Sequence, residues 1–398
     1  MNSILKTFIS DHINDDIHQL ALNAHKYPNI DMNQALVQIK GRKKIKNKVS
    51  SFYENDDIIY PIQLSIEQSS SQTTASYKAS LCNGNLLVDL TGGFGVDCYF
   101  MSENFETVTY VEKNEELCRI AEHNFSISNR HNINVVNTLS ETFLQNTTIK
   151  ADWIFIDPAR RDTRGNKLVM LSDCEPDISA LAPLLLSKAE NVMVKLSPML
   201  DIHVVIEQLP MISEIHIVST ENECKELLII LNHKPHDSIL IKTINFQKNH
   251  NQRFDFELQD ELNSDCNIAS DVENSLYLYE ANSAVMKAGA FKLIGQKFKI
   301  DKLQIHTHLY VSDKLHLDFP GRIFSIKKIW EKETWKTNAD VVKKANISTR
   351  NFPTSVDEIR KKLKLSDGGD IYLFACTLSD NKKVIIETSK IESQSIIH

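Results

Sequence analysis

The 398-residue chain is 42% hydrophobic, 24% charged and 8% aromatic, with a formal net charge of −7. Those proportions exclude a disordered or fibrous protein, and the acidic balance confines any nucleic-acid contact to local basic patches. No apolar run reaches the roughly 18 residues of a membrane span. The opening MNSILKTFISDHINDD carries acids where a signal peptide needs an apolar stretch, and the seven cysteines show no C-x-x-C spacing, so a cytoplasmic chain without disulfides or zinc is expected.

In chain order, ILKTFISDHINDDIHQLALNAHKY predicts one amphipathic helix ending at Pro28, and MNQALVQIKGR a second. Lys40, Arg42, Lys43, Lys44, Lys46 and Lys48 then crowd together, as a solvated face or a nucleic-acid contact. The polar stretch 64–81 turns helical at about Thr73. From there strands and helices alternate. The predicted strands are LLVDL (86–90), TVTYVEK (107–113), INVVN (133–137), DWIFIDP (152–158), NVMVKLSP (191–198), EIHIVST (214–220) and ELLIIL (226–231). Near-continuous apolar strands alternating with helices predict an α/β fold with a parallel sheet covered on both faces. Residues 236–318 lose that pattern, mixing the strands SILIKTINF and KLQIHTHLYVS with a helix near 280–297. Residues 320–398 read as a small α+β unit: the strand GRIFSIKKIW, the helix VDEIRKKL, and a hairpin of DIYLFACTL and KKVIIETSK.

Three of only 11 glycines fall within VDLTGGFGVD, residues 88–97. A strand ending at Asp89 runs through Thr91, Gly92, Gly93, Phe94 and Gly95 into a helix, which places bare backbone at a strand's carboxyl end, where open sheets bind ligands. The third glycine of a G-x-G-x-x-G fingerprint is missing. Asp89 suits a ligand with a positive amino group, such as S-adenosylmethionine (SAM), better than a pyrophosphate. Glu112, ending the second strand, can accept ribose hydroxyls, a device that NAD and SAM enzymes share. In IFIDPARRD, Pro158 forces the chain out of the sheet and turns Asp157 toward the pocket. The alternative is a salt-bridged surface loop. Amine methyltransferases carry Asp/Asn-Pro-Pro-aromatic here; this chain has neither the second proline nor the aromatic. Arg160, Arg161 and Arg164 follow and could hold phosphates. Lys195, in VKLSPMLD after the fifth strand, should face Asp157. Neither motif contains a cysteine, which disfavours a covalent thiol route. His306 and His308 alternate without a companion acid, so a structural role is expected and no metal site.

The chain resembles the bacterial class I (Rossmann-like) SAM-dependent methyltransferases that carry a ferredoxin-like module and a C-terminal THUMP-like domain. The resemblance rests on EQSSSQTTASYK (67–78), LLVDLTGGFGVD (86–97), FIDPARRDTRGNK (155–167), LSDCEPDI (171–178), VKLSPMLDI (194–202), YLYEANSAVMKAGAF (277–291), THLYVSD and FPGRIF (307–324), and the block 346–378. It implies four parts: a helical segment (1–63), a methyltransferase domain (64–235), a ferredoxin-like module (236–319) and a THUMP-like domain (320–398). It further implies that Asp89, Thr91, Gly92, Gly93 and Gly95 form the SAM loop, that Glu112 is the ribose acid, and that Asp157 and Pro158 are the catalytic motif. Gln68–Thr74, with Gln68, Ser70 and Thr74, would close over the cofactor. An acid that often meets the adenine is Leu139 here. Because THUMP domains bind RNA, the resemblance implies an rRNA or tRNA partner; from the sequence itself, Arg350 with Arg360, Lys361, Lys362 and Lys364 make a second basic cluster, as a phosphate contact or a solvated helix face. Two rival readings remain: a catalytically silent RNA-binding protein that retains SAM, and a methyltransferase acting on protein or a small molecule.

Overall fold

The computed structural model describes residues 1–160, 171–209, 211–234 and 238–391. It divides into two compact units, residues 1–214 with 227–236, and residues 215–226 with 237–398. Among the described residues no helix is long and apolar enough to cross a membrane.

The first unit opens with helices α1 (Ser3–Asp11), α2 (Ile17–Leu22) and α3 (Met32–Ile45). The single helix expected from the first apolar pattern is therefore two. The Asn14-Asp15-Asp16 run breaks it, and Asp16 instead caps α2 by accepting from the Gln19 amide at 2.9 Å. Short polar side chains compete with the helix for backbone groups, so they favour caps over interiors. Leu5, Phe8, Ile9 and Leu20 pack on Ala35 and Ile39 of α3. Helices α4 (Ser50–Tyr53), α5 (Gln63–Gln68) and α6 (Gln72–Ala79) follow. Ile45, Val49, Phe52, Ile58, Tyr60 and Ile66 share a core with Phe94 and Val96, so this segment packs directly against the glycine turn.

The sheet of this unit contains strands β1 (Gly84–Asp89), β2 (Phe105–Glu112), β3 (Ile133–Asn137) and β4 (Ala151–Ile156). A separate two-residue ladder pairs β5 (Ala159–Arg160) with β6 (Cys174–Glu175). Strand β7 (Ala189–Leu196) completes the parallel set, in the order β7-β4-β1-β2-β3. Strand order reverses between β1 and β4, so the turns that follow these two strands line the crevice where such sheets bind ligands. The wholly parallel reading fails for the last strands. Strand β8 (Ile212–Thr220) and strand β9 (Glu223–Asn232) are joined only by Glu221 and Asn222, both at positive φ (48° and 64°). Two residues cannot make a crossover, and β9 runs antiparallel to β7 with Leu227 opposite Leu196.

In the second unit, β10 (Leu240–Phe246) lies between β8 and β11 (Asn251–Arg253), and β12 (Phe256–Glu257) pairs with β10. The strands β13 (Tyr277–Ala281), β14 (Asp301–Gln304), β15 (Thr307–Ser312), β16 (Gly321–Trp330), β17 (Asn346–Arg350), β18 (Ile371–Thr377) and β19 (Lys383–Lys390) form one sheet, ordered β14-β15-β13-β16-β19-β18-β17. The helix Val356–Leu363 carries the chain from β17 to its parallel neighbour β18, and starts with a Ser355–Glu358 capping box. KLQIHTHLYVS is a hairpin rather than one strand. His306 sits in its turn and His308 on β15, stacked on Phe291 with ring centroids 3.8 Å apart.

Candidate active site

Asp89 is the last residue of β1 and is 1% exposed. Its Oδ1 accepts from the Thr91 amide at 3.0 Å, and the Thr91 hydroxyl accepts from the Asp157 amide at 2.6 Å, which ties the turn after β1 to the end of β4. The three glycines serve different ends. A Cβ at Gly92 would lie 2.0–2.5 Å from the Tyr110 ring, and one at Gly95 2.8 Å from Phe125. Those two are demanded by packing. At Gly93, which has φ +57°, a Cβ would meet nothing nearer than the Thr91 carbonyl at 3.8 Å. Its backbone is clamped instead: the Gly93 amide donates to Glu112 at 2.9 Å and the Tyr110 hydroxyl donates to the Gly93 carbonyl at 2.6 Å. Glu112 also accepts from the Asn114 amide at 2.8 Å.

Asp157 follows β4, with its side chain 35% exposed, and buried Pro158 turns the chain away. Lys195, on β7, donates to Asp157 Oδ2 at 2.5 Å. The strand-end facing expected from sequence is thus realised as a direct ion pair. Two further residues complete the cluster. Lys78 of α6 has no exposed surface, and its ammonium lies 3.2 Å from Asp97 Oδ1 and 3.2 Å from the Ser70 hydroxyl. Ser70 in turn donates to Asp97 Oδ2 at 2.7 Å, and Lys195 lies 3.8 Å from that same oxygen. Charges therefore alternate along Lys78, Asp97, Lys195 and Asp157. Lys78 and Asp97 lie inside the stretches that carry the resemblance, but neither was picked out as a site residue. Their only signal was a lysine within an otherwise polar helix and an acid directly after the glycine turn.

Burial pushes the Asp89 carboxyl well above the usual carboxylate range, and Asp97, Asp157 and Glu112 push it further in the same direction. Burial also acts to raise Asp97, but Lys78, Lys195 and Ser70 outweigh it and hold that carboxyl below its ordinary value. Lys48 is brought down to about 8, first by burial and then by Lys195 and Lys44. The carboxylates of Asp97, Asp157 and Glu112 near this half-buried glycine turn disfavour a pyrophosphate. They fit a ligand that combines positive charge with hydroxyl donors.

Of the segment expected to close over this site, Ser70 touches Asp97, Thr74 is engaged in the Ser71 cap of α6, and Gln68 is exposed. Leu139 is 51% exposed, and the Ser140 hydroxyl is committed to the Leu90 carbonyl at 2.6 Å. Arg161 and Arg164 lie outside the described residues, as does the side chain of Arg160. Arg350 donates to Glu280 at 2.5 Å, Arg360 pairs with Asp367 at 2.7 Å, Lys361 is exposed, and the exposed Lys362 sits 5.8 Å over the Trp335 ring. In the first basic stretch, Arg42 pairs with Asp56, Lys43 with the Asp15 carbonyl, Lys44 with Glu67, Lys46 with the Tyr53 ring, and Lys48 with the Ile66 and Glu67 carbonyls. Much of that stretch therefore fastens its own segment together. Among the described residues no group of His, Cys, Asp or Glu could hold a metal ion.

A five-stranded parallel sheet whose order reverses at a glycine turn, with acids at the ends of β1, β2 and β4, is the Rossmann-like methyltransferase architecture. The comparisons with known proteins agree. A crystal structure of a "putative methyltransferase" from Porphyromonas gingivalis W83 is 30% identical, covers 98% of this chain and 98% of its own, and superposes with a TM-score of 0.89. A ferredoxin-like domain model matches residues 277–320, and a THUMP domain-like model residues 321–390. The chain belongs to this family of bacterial class I methyltransferases with ferredoxin-like and THUMP-like domains. An rRNA methylase from Streptococcus thermophilus is 12% identical over 41% of this chain and 95% of its own, with a TM-score of 0.31. An O-methyltransferase from Bacillus cereus in complex with SAH is 14% identical over 48% and 100%, with a TM-score of 0.33. At that distance neither bears on what this chain does. No curated protein matches it.

Proposed function

We propose that the chain is a SAM-dependent methyltransferase that methylates RNA, ribosomal or transfer, by direct displacement. The observation that carries this reading is the Lys195–Asp157 pair, tied to the glycine turn by the Asp157 amide's hydrogen bond to the Thr91 hydroxyl. SAM supplies the methyl group as an electrophilic sulfonium. Asp89 would hold its amino group, the Gly93 backbone would lie along it, and Glu112 would accept its ribose hydroxyls. Lys195 engages Asp157 through Oδ2, so the partly exposed carboxylate keeps lone pairs for an N–H or O–H of the acceptor. Accepting that hydrogen bond orients the nucleophile and draws electron density onto it. Pro158 fixes the backbone behind the carboxylate. The basic residues Arg160, Arg161, Arg350, Arg360, Lys361 and Lys362 would supply RNA contacts.

Two measurements test this. Calorimetry should detect SAM and S-adenosylhomocysteine and not NAD; the reverse preference sinks the cofactor assignment. Nucleosides in total RNA from a deletion strain and its parent, compared by mass spectrometry, should differ by one methylated species that the purified protein restores. In that assay Asp157→Ala should retain SAM affinity while turnover falls ~10²–10⁴-fold. A variant that loses SAM binding instead makes Asp157 structural.

A further inference from the structure

The second unit buries one carboxylate beneath two arginines. Glu280 lies on β13 with its side chain 4% exposed. Arg322, its register partner on β16, donates to Oε2 through Nε at 2.7 Å and also through Nη2. Arg350, at the end of β17, donates to Oε1 at 2.5 Å. One cation suffices to neutralise a buried carboxylate, so the second leaves a net positive charge. Both arginine side chains stay about a third exposed, at 33% and 37%, although the glutamate between them is sealed; Arg350 also donates to the Thr349 carbonyl through Nη1 at 2.8 Å. Burial above all, and then Lys302, His306 and Arg350, push the nearby His308 down to about 4. A guanidinium has five N–H donors in a rigid fork that matches phosphate oxygens. Two forks immobilised on a common carboxylate lose little further freedom when they take up an anion.

From this we infer that Arg322 and Arg350, fixed on Glu280, form a two-arginine cradle for a phosphate of the RNA backbone. The inference rests on the RNA reading above. It adds Arg322, gives Arg350 a defined partner and makes Glu280 the positioning residue of the pair.

The test is filter binding of pooled transfer and ribosomal RNA to the full chain across ~50–200 mM salt, where each phosphate contact adds about one to the slope of log affinity against log salt. Arg322→Gln and Arg350→Gln each leave Glu280 one cation, and Arg322→Lys and Arg350→Lys keep its full compensation should a glutamine variant melt early. S-adenosylhomocysteine binding by calorimetry checks the first unit in every variant. Each glutamine variant is expected to bind several-fold more weakly with a slope reduced by about one. Each lysine variant should lose affinity while keeping the slope, since the charge stays and the fork goes. Wild-type affinity and slope in all four overturn the cradle and leave the RNA reading standing. A wild type that binds no RNA while still binding S-adenosylhomocysteine overturns both. Heat from inorganic phosphate that the glutamine variants abolish, with no change in RNA slope, assigns the site to a free anion and overturns the RNA assignment.

Discussion

Lys78 reaches Asp97 from the last turn of α6, its ammonium 3.2 Å from Oδ1 and without any exposed surface. A buried cation is tolerated only with a close counter-charge, and removal of one partner strands the other. Lys78→Met leaves Asp97 the Ser70 hydrogen bond and the longer Lys195 contact, and is expected to cost about 3–5 kcal/mol in urea unfolding. Asp97→Asn should cost a similar amount, and the double variant less than the sum. Additive losses would show that the two residues do not act as a pair.

Asp89 and Asp97 should respond to pH with opposite signs. The Asp97 carboxyl is held low, so its stabilisation is full above the unfolded value of about 3.9 and is lost as pH falls through its folded value. The Asp89 carboxyl is raised, so the folded chain holds that proton to higher pH than the unfolded chain, and stability falls as pH rises. Asp89→Asn should therefore raise the melting temperature at about pH 8 and hardly change it near pH 4. An equal change at both pH values would mean that the carboxyl titrates normally. A ligand amino group beside Asp89 would favour its ionised form, so SAM binding should release a proton, detectable by calorimetry in buffers of different ionisation enthalpy.

The neighbouring glycines should separate folding from binding. Gly92→Ala drives a methyl group into the Tyr110 ring and should lower the melting temperature sharply. Gly93→Ala makes only an ordinary contact with the Thr91 carbonyl and pays for its left-handed backbone, about 1–2 kcal/mol. Gly93→Val should stay folded yet lose S-adenosylhomocysteine binding, because its branched side chain projects where a ligand would lie. Intact binding in Gly93→Val would remove Gly93 from the site.

Local pattern was enough for much of this fold. INVVN, GRIFSIKKIW and VDEIRKKL become a strand, a strand and a helix with the bounds their periodicity predicts. The misses share a cause. The Glu221-Asn222 and His306 turns contain no glycine or proline, so the apolar pattern runs through the second and suggests parallel strands around the first. Within the site, residues at strand ends were legible, since β1, β2, β4 and β7 announce their own termini. Lys78 was not. Its role depends on Asp97, 19 positions away, and no local rule ties a lysine in a polar helix to the acid after a glycine turn. Arg322 was hidden likewise, its meaning set by Glu280 on another strand.

The seven-stranded sheet bears on how this architecture can be inherited. The ferredoxin-like match ends at residue 320 and the THUMP-like match begins at 321, yet β13 and β16, on either side, are zipped together from Tyr277–Ser325 to Ala281–Gly321. A break at that point would leave both strands with bare hydrogen-bonding groups, prone to pair with other chains. Trading one half for a foreign one would therefore require rebuilding the shared β13–β16 seam.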